Sequence, residues 1–214
     1  MPLLSDRDIA YVSKSFERLR DEVNVKLFVD SEEGEYNKKT IELLREFCAI
    51  SPKLNLEVGN LAKDKERAQS FGIDKSPGIL VAGKEMKEHI YYFGIPAGYQ
   101  FAALIDDIVD VSTGRTRLSP ATIASLQRIE KPVEISVFVS ISEQLCAGAV
   151  RIAHQFAMEN DKIWASMIDA EQFTELAIHN TVTRVPKIIV NGLLSVDEPL
   201  NEEDFLEHVL SATE

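Results

Sequence analysis

A short block of sequence occurs twice in this chain. Residues 73–81 read IDKSPGILV, and residues 182–190 repeat the pattern as VTRVPKIIV. Pro77 and Pro186 are separated by about 110 residues, and Phe47 and Phe156 in the preceding helical segments repeat at the same spacing, whereas solenoid repeats run to roughly 20–50 residues. The duplication therefore indicates two domain-sized units.

Length and charge limit the classes of partner. A chain of 214 residues is long enough for two small domains, each with its own core. The net charge of −12 argues against binding to nucleic acid or to an anionic membrane, because both surfaces need clustered Lys and Arg. Polypeptide, protein and small-molecule partners stay open, and so does a homo-oligomer.

Cysteine content and hydropathy indicate a cytoplasmic protein. No apolar run approaches the roughly 20 residues that a membrane span needs. The first eight residues, MPLLSDRD, lack the basic and apolar regions of a secretory signal. Cys48 and Cys146 lie in different repeats and do not form a disulfide framework, so a reducing compartment is expected.

The order of predicted elements is the same in both units. A capped helix precedes each unit, starting after Ser5 in the first and after Ser119 with Pro120 in the second. Each unit then reads β-α-β-α-β-β-α from its hydrophobic periodicity. In the second unit Asn191-Gly192 predicts a tight hairpin. Ser, Thr, Gly and Arg interrupt the apolar pattern near residues 111–118, which predicts the boundary there.

The prolines and their flanking segments resemble a known family. The segments are YFGIPAG at 92–98, DDIVDVS at 106–112, AVRIAH at 149–154 and VPKI at 185–188. Together they resemble the tandem-thioredoxin-fold protein disulfide oxidoreductases, also called glutaredoxin-like proteins. The resemblance implies an α/β fold of two tandem thioredoxin-like domains, residues 1–114 and 115–214, each a mixed central sheet flanked by helices.

The resemblance also implies a Cys-x-x-Cys pair in each domain, but both pairs are degenerate. The first pair is replaced by Gly34 and Asn37, and the second by Glu143 and Cys146. Dithiol exchange needs a low-pKa thiolate at a helix N-terminus and a second thiol one turn later to resolve the mixed disulfide. Neither site has both sulfurs, so we predict that neither cycles between dithiol and disulfide.

Cys146 retains the only sulfur at either site. Val150 and Ala153 follow it at helical spacing, so its side chain is expected to face the apolar stripe as an inert thiol. A close Glu143 carboxylate would further disfavour the thiolate. The alternative is a monothiol thiol–disulfide oxidoreductase in which Cys146 is the catalytic residue. Cys48 lies on an apolar stripe with Ile41 and is expected in the core.

Both proline-containing strands are present, although three of the four expected cysteines are absent. In thioredoxin-like folds the proline matching Pro77 and Pro186 is cis and faces the helix N-terminus. The preceding residues, Ser76 and Val185, then present main-chain groups that can pair with an extended peptide. The alternative is that these prolines only shape the sheet edge.

We therefore predict a redox-inactive protein that binds a polypeptide or a protein partner beside the two proline loops. An inactive partner of an active paralogue is a third hypothesis. No cofactor is expected, and no metal site is predicted, because His89, His154, His179 and His208 are scattered without ligand spacing. The acidic cluster at residues 32–35 is expected to be a solvated loop.

Overall fold

The computed structural model describes residues 3–85, 87 and 89–213 and has a mixed α/β architecture. Residues 1, 2 and 214, at the outer ends of the two predicted domains, lie outside the described residues. The strands are β1 (Val23–Val29), β2 (Leu54–Asn60), β3 (Gly78–Gly83), β4 (Ile90–Phe93), β5 (Val133–Val139), β6 (Ile163–Asp169), β7 (Lys187–Val190) and β8 (Leu194–Val196). The helices are α1 (Asp6–Phe16), α2 (Glu35–Cys48), α3 (Lys65–Ser70), α4 (Tyr99–Thr113), α5 (Pro120–Leu126), α6 (Gln144–Glu159), α7 (Thr174–His179) and α8 (Glu202–Ser211).

All eight strands join in one sheet with the order β2-β1-β3-β4-β6-β5-β7-β8. The predicted mixed sheet flanked by helices is confirmed. The structure adds that β4 pairs with β6 in parallel, with Ile90 opposite Ala165 and Phe93 opposite Ile168. This pairing joins the N-terminal half (α1–α4) to the C-terminal half (α5–α8). The division into domains 1–114 and 115–214 remains our proposal.

The connection between the halves is shorter than the predicted boundary region. Helix α4 runs to Thr113, and Gly114 ends it in the left-handed conformation with φ of 61°. The Ser112 hydroxyl donates to the Asp21 carbonyl at 2.6 Å, which holds the last helical turn against the start of β1. Residues 114–119 then lead to Ser119, whose side chain caps α5.

Local side-chain bonds set several other element boundaries. Ser5 and Asp8 form the expected capping box at the start of α1. The helix predicted from about residue 62 begins only at Lys65, because the Asn60 side chain accepts from the main-chain N–H groups of Ala62 and Lys63 and holds them in a turn. At the β7–β8 hairpin Asn191 and Gly192 both have positive φ.

The two faces of the sheet are covered unequally. Helices α1, α2, α4, α5, α6 and α8 contribute to a large core on the first face. The second face is covered by the short helices α3 and α7. They contribute the buried residues Ala68 and Ala177 to the smaller core. The alternation of side chains along each strand divides them between these cores.

A buried polar cluster lies where α4 packs against α6. The Asp107 carboxylate accepts from the Tyr92 hydroxyl, pairs with the Arg151 guanidinium and lies 2.6 Å from Nδ1 of His154. Arg151 also pairs with Asp110. Since α4 belongs to the N-terminal half and α6 to the C-terminal half, the cluster connects the two halves across their junction.

Burial determines the protonation of this cluster. Desolvation lowers the pKa of His154 to about 3, and the nearby Arg151 charge lowers it further, so the imidazole is neutral at pH 7. The neutral ring donates its Nδ1–H to the Asp107 carboxylate, which leaves Arg151 as the cation of the cluster. Removal of Arg151 would therefore leave buried carboxylates without their counter-charge.

We expect Arg151→Met to lower the free energy of unfolding by about 3–5 kcal/mol, because the substitution leaves Asp107 and Asp110 buried beside a neutral side chain. Arg117→Met is the matched control. The Arg117 side chain is 59% exposed and faces Asp106 at 3.2 Å, so its loss should cost about 0–1 kcal/mol. Urea unfolding followed by circular dichroism measures both. Equal losses for the two variants would contradict a structural role for the buried cluster.

Candidate functional site

The starts of α2 and α6 lie at the same edge of the sheet. Strands β1, β4, β6 and β5 all run in one direction, because β1 and β4 are each antiparallel to β3 and the β4–β6 and β5–β6 pairs are parallel. The helix that follows β1 has its N-cap at Gly34, and the helix that follows β5 has its N-cap at Glu143. These are two of the four positions at which the family pattern expects cysteine.

In the N-terminal half a hydrogen-bond network occupies the place of the dithiol. The Asn37 amide donates to the Asp30 carboxylate at 2.6 Å and to the Ser31 carbonyl at 2.7 Å. The Ser76 hydroxyl donates to Asp30 at 2.8 Å and lies 3.2 Å from the Asn37 side-chain oxygen. These hydrogen bonds lower the pKa of Asp30, with the Ser76 bond as the largest cause. Asn37 thus ties the first turn of α2 to the residue before Pro77 without any sulfur.

In the C-terminal half a carboxylate caps the helix. The Glu143 side chain accepts from the main-chain N–H of Leu145 at 3.1 Å. An anion at this end of a helix is stabilised by the free N–H groups and by the helix dipole. The position that favours a thiolate in a redox-active helix therefore holds a carboxylate, which accepts hydrogen bonds but does not attack a disulfide.

The Cys146 thiol is buried in the first-face core and has 0% exposed surface. Desolvation raises its pKa to about 11, opposed in part by a hydrogen bond with the Ser140 main chain, and the Glu143 charge adds a smaller upward shift. Burial raises the pKa of Cys48 to about 12. Both are free thiols rather than a disulfide. At pH 7 both thiols are therefore protonated, and neither is the thiolate that attacks a disulfide.

The loops before β3 and β7 carry the two prolines. The Ser76–Pro77 and Val185–Pro186 peptide bonds are both cis. Pro77 and Pro186 are buried, while Ser76 and Val185 are partly exposed. Among the described residues, no main-chain hydrogen bond of Ser76 or Val185 is formed. Both residues therefore have main-chain groups available to a bound strand.

A loop of the N-terminal half lies against the C-terminal site. The main-chain N–H of Tyr99 donates to the Ile141 carbonyl at 3.0 Å, two residues before the Glu143 cap. Gly98 has φ of 56°, and a Cβ atom there would lie 2.2 Å from the same Ile141 oxygen. Only glycine therefore permits this approach. Large apolar side chains are exposed at the same edge of the sheet: Tyr36 of α2, Tyr99 of α4 and Leu145 of α6.

Other predicted features take no part in these sites. Glu35 of the acidic loop pairs with Lys39 at 2.7 Å, and neither side chain is buried. Within the described part of the chain, no group of three or more His, Cys, Asp or Glu side chains is placed to hold a metal ion. No helix in residues 3–85, 87 and 89–213 has the length and apolar character required to cross a bilayer.

Two sets of contacting residues are not evident from the sequence. Asp30 joins Asn37 to Ser76 through a contact between a loop and a strand end, which no local pattern predicts. His154 reads as an isolated histidine in the sequence, although Asp107 lies against it from another helix. The available signal was the presence of Asp107 and Asp110 within the apolar sequence of α4, where a charge implies a buried partner.

Comparison with known proteins agrees with this architecture. A thioredoxin domain model matches residues 133–211. AhpF of Staphylococcus aureus (strain Mu50), a component of alkyl hydroperoxide reductase, is 28% identical over 171 residues, which are 80% of this chain and 31% of that relative. The chain thus spans about a third of the length of such curated relatives.

Two solved structures extend the likeness to nearly the whole chain. The protein disulfide oxidoreductase of Aeropyrum pernix K1 is 27% identical with a TM-score of 0.87, over 98% of this chain and 93% of that one. A C503A mutant of AhpF from Enterococcus faecalis shares the fold, with a TM-score of 0.89 at 22% identity over 96% of this chain and 99% of that one. The chain therefore shares the fold of these thioredoxin-fold proteins and is similar to the Aeropyrum pernix disulfide oxidoreductase over nearly its whole length.

Proposed function

We propose that this protein does not exchange disulfides and instead binds an extended polypeptide, or a protein partner, beside the two cis-proline loops. The observation that carries the proposal is the state of the C-terminal site. Glu143 caps α6 where an attacking sulfur would stand, and the remaining thiol, Cys146, is fully buried. At the same edge, the main-chain groups of Ser76 and Val185 have no hydrogen-bond partner among the described residues.

The absence of dithiol chemistry follows from the requirements of the reaction. A thiolate must attack a disulfide sulfur to form a mixed disulfide, and a second thiol must then release the product. The N-terminal site has no sulfur at Gly34 or Asn37. At the C-terminal site Cys146 has a raised pKa and no accessible surface. An incoming disulfide would reach Cys146 only after local unfolding.

Binding of a chain at the same edge is supported by the geometry of the loops. A peptide laid along Ser76 or Val185 can exchange main-chain hydrogen bonds with groups that have no partner among the described residues. Exposed Tyr36, Leu145 and Tyr99 offer apolar contacts nearby. The curated relatives are named as one component of a reductase, and we carry only that coarse point over: this chain works with a protein partner.

The same proposal includes a cytoplasmic location and the two-domain division. Both cysteines are unpaired thiols, which suits a reducing compartment. The connection at residues 114–119 lies between α4 and α5, where the predicted boundary between residues 114 and 115 falls.

We expect no reduction of insulin by dithiothreitol above the uncatalysed background. Glu143→Cys should restore a Cys-x-x-Cys pair that ends at Cys146, form an internal disulfide on mild oxidation and reduce insulin at least about tenfold faster than the parent. The assay follows insulin precipitation, and the disulfide is detected by mass spectrometry of the alkylated protein.

Glu143→Ser is the matched control, because it removes the carboxylate and keeps a capping oxygen without supplying sulfur. It should stay inactive. Turnover by the parent protein, or by the serine variant, would contradict the proposal. A folded Glu143→Cys variant that forms no disulfide would show that the helix start does not bring positions 143 and 146 together.

Thiol titration tests the alternative, in which Cys146 acts alone as a monothiol. In the native protein at pH 7 we expect Cys146 to react with a chromogenic disulfide reagent no faster than the protein unfolds, because the thiol is both buried and protonated. In denaturant both thiols should react at once. A Cys48→Ala variant assigns the signal to Cys146. Rapid labelling of the native variant, or a stable glutathione adduct, would favour the monothiol enzyme.

Proline substitution tests the peptide grooves. Ser76→Pro and Val185→Pro each remove the N–H that a bound strand would use, so each should weaken peptide binding at its own loop. Thr183→Pro is the control, since it changes an exposed residue of the same loop and leaves the N–H of Val185 in place. Peptide-array signals are compared after circular dichroism has shown that each variant is folded. Signals that are unchanged in both loop variants would exclude the grooves.

A further inference from the structure

The second face of the sheet contains an open cleft that has no place in the function proposed above. Two adjoining hollows of about 450 and 240 Å3 lie between the segment after α3 and helix α7. The larger falls within the range typical of small-molecule sites, about 300–1,000 Å3. Their shared lining is Lys75, Phe93, Glu134, Ser166 and Asn191.

The cleft exists because small residues occupy the middle of this face. Ser166 of β6 and Ser136 of β5 are direct neighbours in the sheet, and Tyr91 of β4 is the next residue in the same row. The row on one side is apolar and contains Phe93, Ile168 and Phe138. Leu176 of α7 lines the smaller hollow together with the two serines. The floor of the cleft is polar and its wall is apolar.

The floor offers hydrogen-bonding groups that the protein itself does not use. Ser166 is only 7% exposed and lines both hollows. Among the described residues, the hydroxyl groups of Ser166 and Ser136 make no hydrogen bond. These hydroxyls face the open cleft, so a bound molecule can form hydrogen bonds with them.

The charges of the cleft favour a cation. Lys75 is already engaged, since its ammonium lies 2.6 Å from Asp74 and 4.5 Å from the centre of the Phe93 ring. The Asn191 side chain is also engaged, accepting from the Glu134 main chain and donating to the Ala212 carbonyl. The exposed Glu134 carboxylate makes no ion pair in the described part of the chain. Glu134 can therefore form an ion pair with a cationic ligand in the cleft.

The register of the sheet places this carboxylate beside an aromatic ring. Glu134 is the direct neighbour of Trp164, and both precede the serine row by two residues on their strands. A cation at this end would contact the carboxylate, the Trp164 ring and the two hydroxyl oxygens. The apolar row follows the serine row by two residues, about 6–7 Å along the strands.

We propose that this cleft binds a small aromatic amine. Its ammonium would lie between Glu134 and the hydroxyls of Ser136 and Ser166, and its ring would pack on the apolar row. The separation of about 6–7 Å between the two rows suits a ring joined to an ammonium through two carbons. The site is on the face of the sheet, and it does not depend on the proposed binding of a polypeptide at the sheet edge.

Trp164 is the chain's single tryptophan, so its emission reports directly on the cleft. The probes are phenethylammonium, 2-phenylethanol and 3-phenylpropionate, which share a ring and differ in charge. We expect phenethylammonium to change the emission and to bind at least about tenfold more tightly than the alcohol, because an added charged hydrogen bond has that effect. The carboxylate should bind more weakly than the alcohol. Saturation-transfer NMR provides an independent readout.

Two pairs of variants locate the site. Glu134→Gln should reduce the affinity for phenethylammonium to that of the alcohol, whereas Glu207→Gln on exposed α8 should leave it unchanged. Ser166→Leu should fill the floor and abolish binding of all probes. Ser195→Leu is its control, since Ser195 pairs with Ile189 at the edge of the same face, outside the cleft. Circular dichroism verifies that each variant is folded.

Several results would overturn the proposal. Equal affinity for the three probes would show that Glu134 does not contribute to binding. Unchanged binding to the Ser166→Leu variant would show that the ligand binds outside the cleft. No response to phenethylammonium in tryptophan emission or in saturation-transfer NMR would show that the cleft does not bind small aromatic amines. Tighter binding of Nα-acetyl-lysine amide than of phenethylammonium would assign the ammonium to a protein side chain rather than to a free aromatic amine.

Discussion

The parallel pairing of β4 with β6 determines most of what is distinctive in this molecule. It joins two four-stranded halves into one sheet and brings α4 against α6. Because strand directions agree across this junction, the starts of α2 and α6 lie at one edge. The same pairing places Asp107 opposite Arg151 and His154, so charged groups buried from each half satisfy one another. The halves are thereby held in one relative position.

The two helix starts at which the family pattern expects cysteine pairs are stabilised by different contacts. In the N-terminal half, Asn37 is hydrogen-bonded to Asp30 and Ser76. In the C-terminal half, Glu143 satisfies the helix start with a charge, and Cys146 has joined the core. Only the C-terminal arrangement uses a free N–H group at a helix N-terminus, since no side chain caps α2 at Gly34.

Much of the fold was predictable because its signals are local. The capping box at Ser5 and the positive φ at Asn191 and Gly192 follow from residues within a few positions of one another. The start of α3 was predicted too early, since the side chain of Asn60 competes for the N–H groups of the next residues. The site positions followed from the resemblance to the disulfide oxidoreductase family. The partners of Asn37 and His154 did not, because each contact joins segments that only strand pairing brings together.

The amino-acid sequence by itself determined the duplication, the order of helices and strands, and the lack of a thiol at Gly34, Asn37 and Glu143. These are properties of residue identity and of periodicity along the chain. Only the tertiary structure decided that Cys146 is wholly buried, that the halves share one sheet, and that Ser136 and Ser166 form the floor of an open cleft. Burial and pairing depend on which distant segments pack together, and the free energy of those contacts is set by the assembled fold rather than by any local stretch of sequence.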